Sequence, residues 1–167
     1  MRINRRFASL ALALLLVGCG GTARTVYVVR HAEKAVSADA PEDPPLAEQG
    51  TLRTAALARE IDVASLVAVY TTPYARTKGT GAPCAEAAGV LVTEYAPDGT
   101  AELVAKIKGA LKGGVLVVGH SNTVPEIVKA LGVAEPVVLG EDDFGDLYVV
   151  TLAPDGTATM ERRRFGD

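Results

Sequence analysis

The chain of 167 residues contains no tryptophan, only two cysteines and only two histidines, and aromatic residues make up 5% of it. Two cysteines are too few for a disulfide-stapled miniprotein, and an apolar content of 49% excludes a disordered or collagen-like chain. Neither sign of charge dominates: the formal net charge is -3, which argues against nucleic acid as a partner. The shortage of histidine matters most, because any imidazole chemistry must use His31 or His120.

The first residues of the chain are predicted to be an export signal. Three arginines within residues 2–6 precede an apolar run at 7–17, which is too short for a bilayer span of about 20 residues. The sequence L-V-G-C at 16–19 resembles the bacterial lipobox. It predicts a lipoprotein signal peptide at 1–18, a lipid on Cys19 and a tether at 19–24. The alternative is an ordinary signal peptide cleaved near Gly20 or Ala23.

Export and lipidation carry expectations for the mature chain. It is expected to be lipid-anchored at the bacterial cell envelope, in the periplasm or at the outer surface. Loss of residues 1–18 leaves 14 basic and 20 acidic side chains, a formal charge of -6. Cys84 then has no partner for an internal disulfide, so we expect it to be a small buried apolar residue.

From residue 25 onward, short β-branched runs alternate with helical stretches. Uninterrupted apolar strands that alternate with helices predict one α/β domain over 25–167 with helices on both faces of a mainly parallel sheet. This is a three-layer α/β/α sandwich, in which a closing hairpin adds an antiparallel edge. The predicted strands are 25–30, 66–71, 90–95, 115–119, 146–152 and 157–165, and the predicted helices are 47–61, 74–88, 101–111 and 124–131.

Both histidines stand at the carboxyl ends of predicted strands, in V-V-R-H-A-E-K at 28–34 and V-V-G-H-S-N-T at 117–123. A parallel sheet brings such ends to one edge, where the ligands of open α/β sheets bind. The Pro- and acid-rich loop at 35–45 follows the first strand and is either a solvated connection or a wall of that site.

A strand followed by G-H-S and a helix also resembles the nucleophile elbow of α/β-hydrolases, with Ser121 as nucleophile. Thr123 stands where that turn needs its closing glycine. That fold also requires a histidine after the serine in the chain, and none follows His120. The serine-hydrolase interpretation is therefore rejected.

Three motifs together resemble the histidine phosphatase superfamily, also called phosphoglycerate mutase-like. R-H-A-E-K is similar to the R-H-G signature of that family, with Ala32 in place of glycine. Y-T-T-P-Y-A-R-T-K-G-T at 70–80 is similar to the S-P-x-x-R segment and indicates Arg76. G-H-S-N-T is similar to the segment with the second histidine. The motifs follow the order and spacing of the family over nearly all of residues 25–166.

The resemblance implies that His31 is a nucleophile and that His120 binds the phosphoryl group. Arg30 and Arg76 suit that group because a guanidinium stays charged and donates two hydrogen bonds in one plane. Asn122 is a further phosphate donor, or else it caps the following helix. No metal and no cofactor are implied, and the sequence has no Asp-x-Asp or His-x-His spacing of metal ligands.

The general acid is harder to predict. A leaving alkoxide needs a proton, so a carboxyl group must lie near the pocket. Asp98 is favoured because it lies in the loop after the third strand, although it is equally suited to a P-D-G turn. Glu94, Glu33 and the pair Asp142 and Asp143 are the other candidates.

These features predict a phosphomonoester hydrolase that acts through a phosphohistidine on His31. The partner is then a small phosphorylated substrate or a phosphoprotein. Two alternatives stay open: a non-catalytic phosphate-binding lipoprotein, and a phosphotransferase of the phosphoglycerate mutase type. A mutase is disfavoured because about 140 residues leave no room for the insertions with which mutases of this family cover a bisphosphorylated sugar acid.

Overall fold

Strands and helices follow one another in the predicted order. A computed structural model describes residues 22–36, 42–109 and 113–166; the predicted signal peptide and Cys19 lie outside them. The strands are β1 (Arg24–Arg30), β2 (Leu66–Thr71), β3 (Val92–Glu94), β4 (Gly114–Gly119), β5 (Asp146–Leu152) and β6 (Ala158–Arg164). The helices are α1 (Glu48–Glu60), α2 (Ala75–Ala88), α3 (Thr100–Gly109) and α4 (Thr123–Leu131), with one 3-10 turn at Val63–Ser65.

All six strands form one sheet in the order β3-β2-β4-β1-β5-β6. The pairs β2–β3, β2–β4 and β1–β4 are parallel, whereas β5 runs antiparallel to both β1 and β6. The fold class predicted from the sequence, a mainly parallel sheet with an antiparallel hairpin at one edge, is therefore confirmed.

Side chains of β1 alternate between two hydrophobic cores, because successive residues of a strand point to opposite faces. Val26 and Val28 pack in the core covered by α3 and α4. Tyr27 and Val29 pack in the core covered by α1 and α2. All six residues of β4 are buried, as expected for a central strand between two helical layers.

Cys84 of α2 belongs to the second of these cores and is a free thiol with no exposed surface. Burial raises the pKa of its thiol to about 11, which keeps it protonated and unreactive at neutral pH. The expectation of a small buried apolar residue agrees with this placement.

The predicted bounds differ most at the third strand. β3 spans Val92–Glu94 rather than 90–95, because it pairs on one side only and lies at the sheet edge. The predicted helix at 101–111 is seen to Gly109, and residues 110–112 lie outside the described ranges. Within the described ranges, no helix is long and apolar enough to cross a bilayer.

A close contact fixes α1 over the segment that follows β1. A Cβ atom on Gly50 would lie 2.3 Å from the carbonyl oxygen of Glu33, so only glycine fits there. Lys34 and Leu46 form an isolated antiparallel bridge, and the amide of Ala47 donates to the Glu33 carbonyl at 2.9 Å. The two ends of the loop after β1 are thereby joined beside the carboxyl edge of the sheet.

Candidate active site

The two histidines lie side by side at the carboxyl edge of the sheet. Parallel pairing puts Arg30 of β1 opposite Gly119 of β4, so the residue after each strand is a histidine. The amide of His31 donates to the carbonyl of Gly119 at 2.9 Å, which extends the ladder into the site. The centroids of the His31 and His120 rings are 5.3 Å apart in an edge-on arrangement.

Hydrogen bonding of His31 leaves one ring nitrogen available. Its Nδ1 lies 2.8 Å from the carbonyl oxygen of Ala32, which can only accept, so Nδ1 carries the proton and Nε2 the lone pair. Burial lowers the pKa of His31 to about 4, and the positive charges of Arg30 and Arg76 act in the same direction. At neutral pH the ring is therefore an uncharged imidazole with a free lone pair on Nε2.

His120 is held by a chain of threonine hydroxyls. Its Nε2 is 3.0 Å from Oγ1 of Thr72, which is 2.8 Å from Oγ1 of Thr77. Thr77 Oγ1 in turn donates to the carbonyls of Thr72 and Tyr74 at 2.9 and 2.8 Å. Carbonyls only accept, so each hydroxyl of this chain donates away from the His120 ring. Nε2 of His120 therefore donates to Thr72 and carries a proton.

The electrostatics of His120 resemble those of His31. Burial lowers its pKa to about 4, and Arg76 and Arg30 add to the effect. An anion bound between the two arginines would offset that repulsion and favour the protonated ring, which donates from both nitrogens.

A close contact explains why Gly119 stands at the first position of the G-H-S-N-T motif. The amide of His120 donates to Oγ1 of Thr123 at 2.9 Å. A Cβ on Gly119 would lie 2.8 Å from that same oxygen, so a side chain there would displace the hydroxyl that fixes the turn into α4.

Arg30 is fixed on the side of the site formed by the 140–144 segment. Its Nη1 donates to the carbonyls of Gly140 and Glu141 at 3.0 and 2.6 Å. The guanidinium carbon lies 4.1 Å from the ring centroid of Phe144, a cation–π distance, and that ring also tilts toward His31. Its Nε is buried and has no hydrogen-bond partner among the described residues. Burial lowers the pKa of Arg30, partly countered by Glu141.

Arg76 is fixed on the opposite side by the first turn of α2. Its guanidinium carbon lies 4.3 Å from the ring centroid of Tyr74, and the Tyr74 ring meets His120 edge-on at 5.4 Å. Nη1 of Arg76 is 3.5 Å from a carboxylate oxygen of Asp43. Each histidine therefore has beside it one arginine and one aromatic ring.

One open cleft of about 650 Å³ is lined by Arg30, His31, Arg76 and His120. Asn122, at the start of α4, also lines it, and its side chain makes no capping hydrogen bond. Of the two roles proposed for Asn122 from the sequence, helix capping is therefore not observed. Lys34 and Ser121 contribute further polar groups to the same walls.

The predicted candidates for the general acid are not equivalent in the structure. Asp98 is exposed and lines the cleft. Glu94 points instead to Lys78, with an ion pair of 3.3 Å. Glu33 forms an ion pair of 2.8 Å with Arg53, which holds its pKa below the ordinary value and occupies the carboxylate.

The acidic run after Gly140 lies beside Arg30. Asp143 accepts a hydrogen bond of 2.6 Å from the amide of Gly140, so it shapes the turn. Asp142 is exposed and does not contribute to the cleft wall. Two carboxylates not predicted from the sequence, Glu126 and Glu141, do line the cleft together with Asp98.

Besides Glu126 and Glu141, four residues in or beside the site were not singled out from the sequence: Thr72, Tyr74, Phe144 and Asp43. Thr72 and Tyr74 lie inside the segment that indicated Arg76, so their proximity to the site follows from that motif, but their contacts do not. Asp43 lies in the loop at 35–45 that was interpreted as either a solvated connection or a wall of the site, whereas no sequence pattern signals Phe144. Among the residues described, no group of three or more His, Cys, Asp or Glu side chains is arranged to hold a metal ion.

Comparison with known proteins gives one family match. The model of the histidine phosphatase superfamily (branch 1) matches residues 26–98, a range that includes Arg30, His31, Arg76 and Asp98 and ends before His120. No curated protein matches the chain significantly.

Solved structures with similar folds cover most of the chain. A protein of Nakamurella multipartitia, provisionally named phosphohistidine phosphatase SixA, has a TM-score of 0.63 and 21% identity over 87% of this chain and 98% of its own. The protein histidine phosphatase SixA complexed with tungstate has a TM-score of 0.62 and 20% identity over 84% and 96%. A mycobacterial glucosyl-3-phosphoglycerate phosphatase has a TM-score of 0.59 and 14% identity over 87% and 99%. At these identities the likeness establishes the fold.

The two neutral histidines predict a loss of stability in acid. Each has a pKa of about 4 in the fold against an ordinary value of 6.5, so the unfolded chain binds more protons between these pH values. The free energy of unfolding is expected to fall as the pH drops from 6.5 to about 4. At lower pH both histidines are protonated in the folded and the unfolded chain alike, so they no longer contribute to the pH dependence. Thermal melting from pH 7 to pH 4 measures the effect. The double variant His31→Gln/His120→Gln should lose less stability over the same window, and an equal slope for both proteins contradicts the prediction.

Proposed function

We propose that the chain is a histidine phosphatase of the superfamily whose model matches residues 26–98, and that it is a phosphomonoester hydrolase acting through a phosphohistidine on His31. The observation that carries the proposal is the neutral His31 ring, whose Nε2 lone pair is free beside two guanidiniums and a second imidazole. A nucleophile needs a lone pair, and a phosphoryl group needs positive donors around its oxygens.

The proposed reaction has two steps. Nε2 of His31 attacks phosphorus while the bond from phosphorus to the leaving oxygen breaks, and Asp98 gives its proton to that oxygen. Arg30, Arg76 and His120 hold the equatorial oxygens, where charge develops. Asp98, now a carboxylate, takes a proton from water, whose oxygen attacks phosphorus and breaks the P–N bond. Phosphate leaves, and His31 returns to its starting state.

The comparison with the tungstate complex supports an oxyanion site in this fold. Tungstate is a tetrahedral oxyanion like phosphate, and the protein that binds it is named a protein histidine phosphatase.

An imidazole leaves a phosphoryl group more easily than an alkoxide does, so a phosphohistidine substrate needs little help from Asp98. We therefore propose a small phosphomonoester or a phosphoprotein as substrate.

Charges at the mouth of the cleft argue against a mutase. Among the described residues, the lining around the arginines carries two carboxylates, Glu126 and Glu141, besides the proposed acid Asp98, against one further cation, Lys34. The two arginines match the two charges of a phosphate group. A second phosphate or a carboxylate on the substrate would then face mainly carboxylates, and like charges repel. A hydrolase with a neutral or cationic leaving group fits this arrangement better than a phosphotransferase acting on a bisphosphorylated sugar acid.

Hydrolysis of p-nitrophenyl phosphate tests the proposed activity. Wild-type protein is expected to be active with a chelator present, because no step uses a metal. His31→Ala should lose activity by about 10³-fold or more, since the nucleophile is gone. Arg76→Ala should lose about 10²-fold through weaker transition-state binding. Arg59→Ala, a change to an exposed arginine in the last turn of α1, is the matched control and should keep full activity.

Trapping distinguishes the hydrolase from the non-catalytic alternative. Brief reaction with labelled phosphomonoester, followed by denaturation at alkaline pH, should leave label on His31. A protein that binds inorganic phosphate but releases no more p-nitrophenol than His31→Ala, over pH 4–8, is the anion-binding lipoprotein of the alternative, and the enzyme proposal is then wrong.

Substrate charge gives a further prediction. Phosphoethanolamine and 2-phosphoglycolate are similar in size, but one leaving group is cationic and the other anionic. The kcat/KM ratio should favour phosphoethanolamine by roughly fivefold to tenfold, the size of a Coulomb effect near a protein surface. Glu126→Gln/Glu141→Gln should reduce that preference. Glu86→Gln, an exposed site outside the cleft lining, is the control, and a preference unchanged by the double variant contradicts the prediction.

We also propose that the protein is exported and lipid-anchored through Cys19, after removal of residues 1–18. This proposal is supported by the arginines within residues 2–6 and by the apolar run after them, which leads into L-V-G-C at 16–19. Expression of the full chain in bacteria should give a membrane-bound protein whose mass exceeds that of residues 19–167 by an acylglyceryl group. Cys19→Ala should be released in soluble form or keep its signal. Soluble wild-type protein with an unmodified amino terminus contradicts the proposal.

A further inference from the structure

The first turn of α2 takes its cap from a distant part of the chain. Tyr74 is the N-cap residue of α2 and gives no capping hydrogen bond from its side chain. Asp43 accepts the amide hydrogen of Ala75 instead, at 2.8 and 3.1 Å to its two carboxylate oxygens. A carboxylate at this position satisfies a free N–H and faces the positive end of the helix dipole.

The same carboxylate also reaches Arg76. Its Oδ1 lies 3.5 Å from Nη1 of Arg76, whose side chain is 15% exposed against 44% for Asp43. Arg76 lines the cleft, whereas Asp43 does not. Asp43 therefore contacts the guanidinium from outside the cleft lining, to which Arg76 itself belongs.

The segment that follows Asp43 is anchored beside α2. That segment ends at Leu46, which forms the bridge with Lys34 and packs against α2. A Cβ on Gly79 would lie 3.1 Å from the Leu46 side chain, so the helix and the loop are already in close contact. The amide of Ala35 donates to the carbonyl of Pro45 at 2.8 Å, as part of the same antiparallel bridge.

We propose that Asp43 is a positioning residue that sets the orientation in which Arg76 receives the phosphoryl group. The inference rests on the proposed function, in which Arg76 binds that group. The two arginines then differ in how they are held: Arg30 by the carbonyls of Gly140 and Glu141, Arg76 by a carboxylate.

A carboxylate near a phosphate site also has an opposite effect, because its charge weakens anion binding. Here both oxygens of Asp43 accept from the Ala75 amide at the positive end of α2, which compensates part of that charge. Bidentate phosphate binding by arginine depends strongly on the plane of the guanidinium. Loss of Asp43 is therefore expected to weaken anion binding, not to strengthen it.

Two substitutions separate the cap from the ion pair. Asp43→Asn keeps an oxygen that accepts from the Ala75 amide but loses the charge toward Arg76, whereas Asp43→Ala loses both. We expect Asp43→Asn to melt close to wild type yet to bind tungstate, measured by calorimetry, about tenfold more weakly. We expect KM for p-nitrophenyl phosphate to rise more than kcat falls. Asp62→Asn, a change to an exposed aspartate without a capping bond, is the matched control.

A double-mutant cycle tests whether the effect passes through Arg76. The loss of kcat/KM on Asp43→Asn should shrink to less than about twofold in an Arg76→Ala background, because coupled residues are not additive. An equal loss in both backgrounds overturns the proposal, as does wild-type tungstate affinity in Asp43→Asn. If the protein hydrolyses nothing, the proposed function fails, and the tungstate affinities alone still decide the role of Asp43. If Asp43→Asn does not fold, Asp43→Ser serves in its place.

Discussion

Parallel pairing of β1 with β4 is the constraint on which the rest of the site depends. The register that puts Arg30 opposite Gly119 leaves both histidines at the first position beyond the sheet, with their rings 5.3 Å apart. A shift of one residue would turn one imidazole to the other face. The buried β-branched residues of both strands hold this register, so the hydrophobic cores and the site share one origin.

Desolvation links that geometry to chemistry. Packing against the sheet edge holds the pKa of both imidazoles at about 4, and the nearby guanidiniums add to the effect. The guanidiniums in turn lie on aromatic rings, in a chain where aromatic residues make up only 5%. Phe144 and Tyr74 give each arginine a flat support that a small aliphatic side chain does not offer.

Most of the fold was predictable from the sequence, because it follows from periodicity. The proximity of the four central candidate residues follows from motifs at strand ends and, for Arg76, from the family resemblance. His31 and His120 needed only the rule that parallel strands end at one edge. Asp43 lies in the 35–45 loop, for which a wall of the site was one of two interpretations, but its contacts and those of Phe144 depend on how loops return over the sheet. The candidates for the general acid could not be separated from the sequence for a similar reason. Glu33 and Glu94 form ion pairs with Arg53 and Lys78, which are distant from them in the sequence.

The direction of β1 has a topographic consequence. This strand of seven residues is about 20 Å long. Its amino-terminal end is Arg24, and its carboxyl-terminal end lies at the cleft. Cys19 precedes Arg24 by five residues, so the proposed lipid on Cys19 would be tethered through the amino-terminal end of β1, whereas His31 follows the other end. The proposed anchor and the proposed nucleophile would thus be attached at opposite ends of one strand, with the whole length of β1 between them.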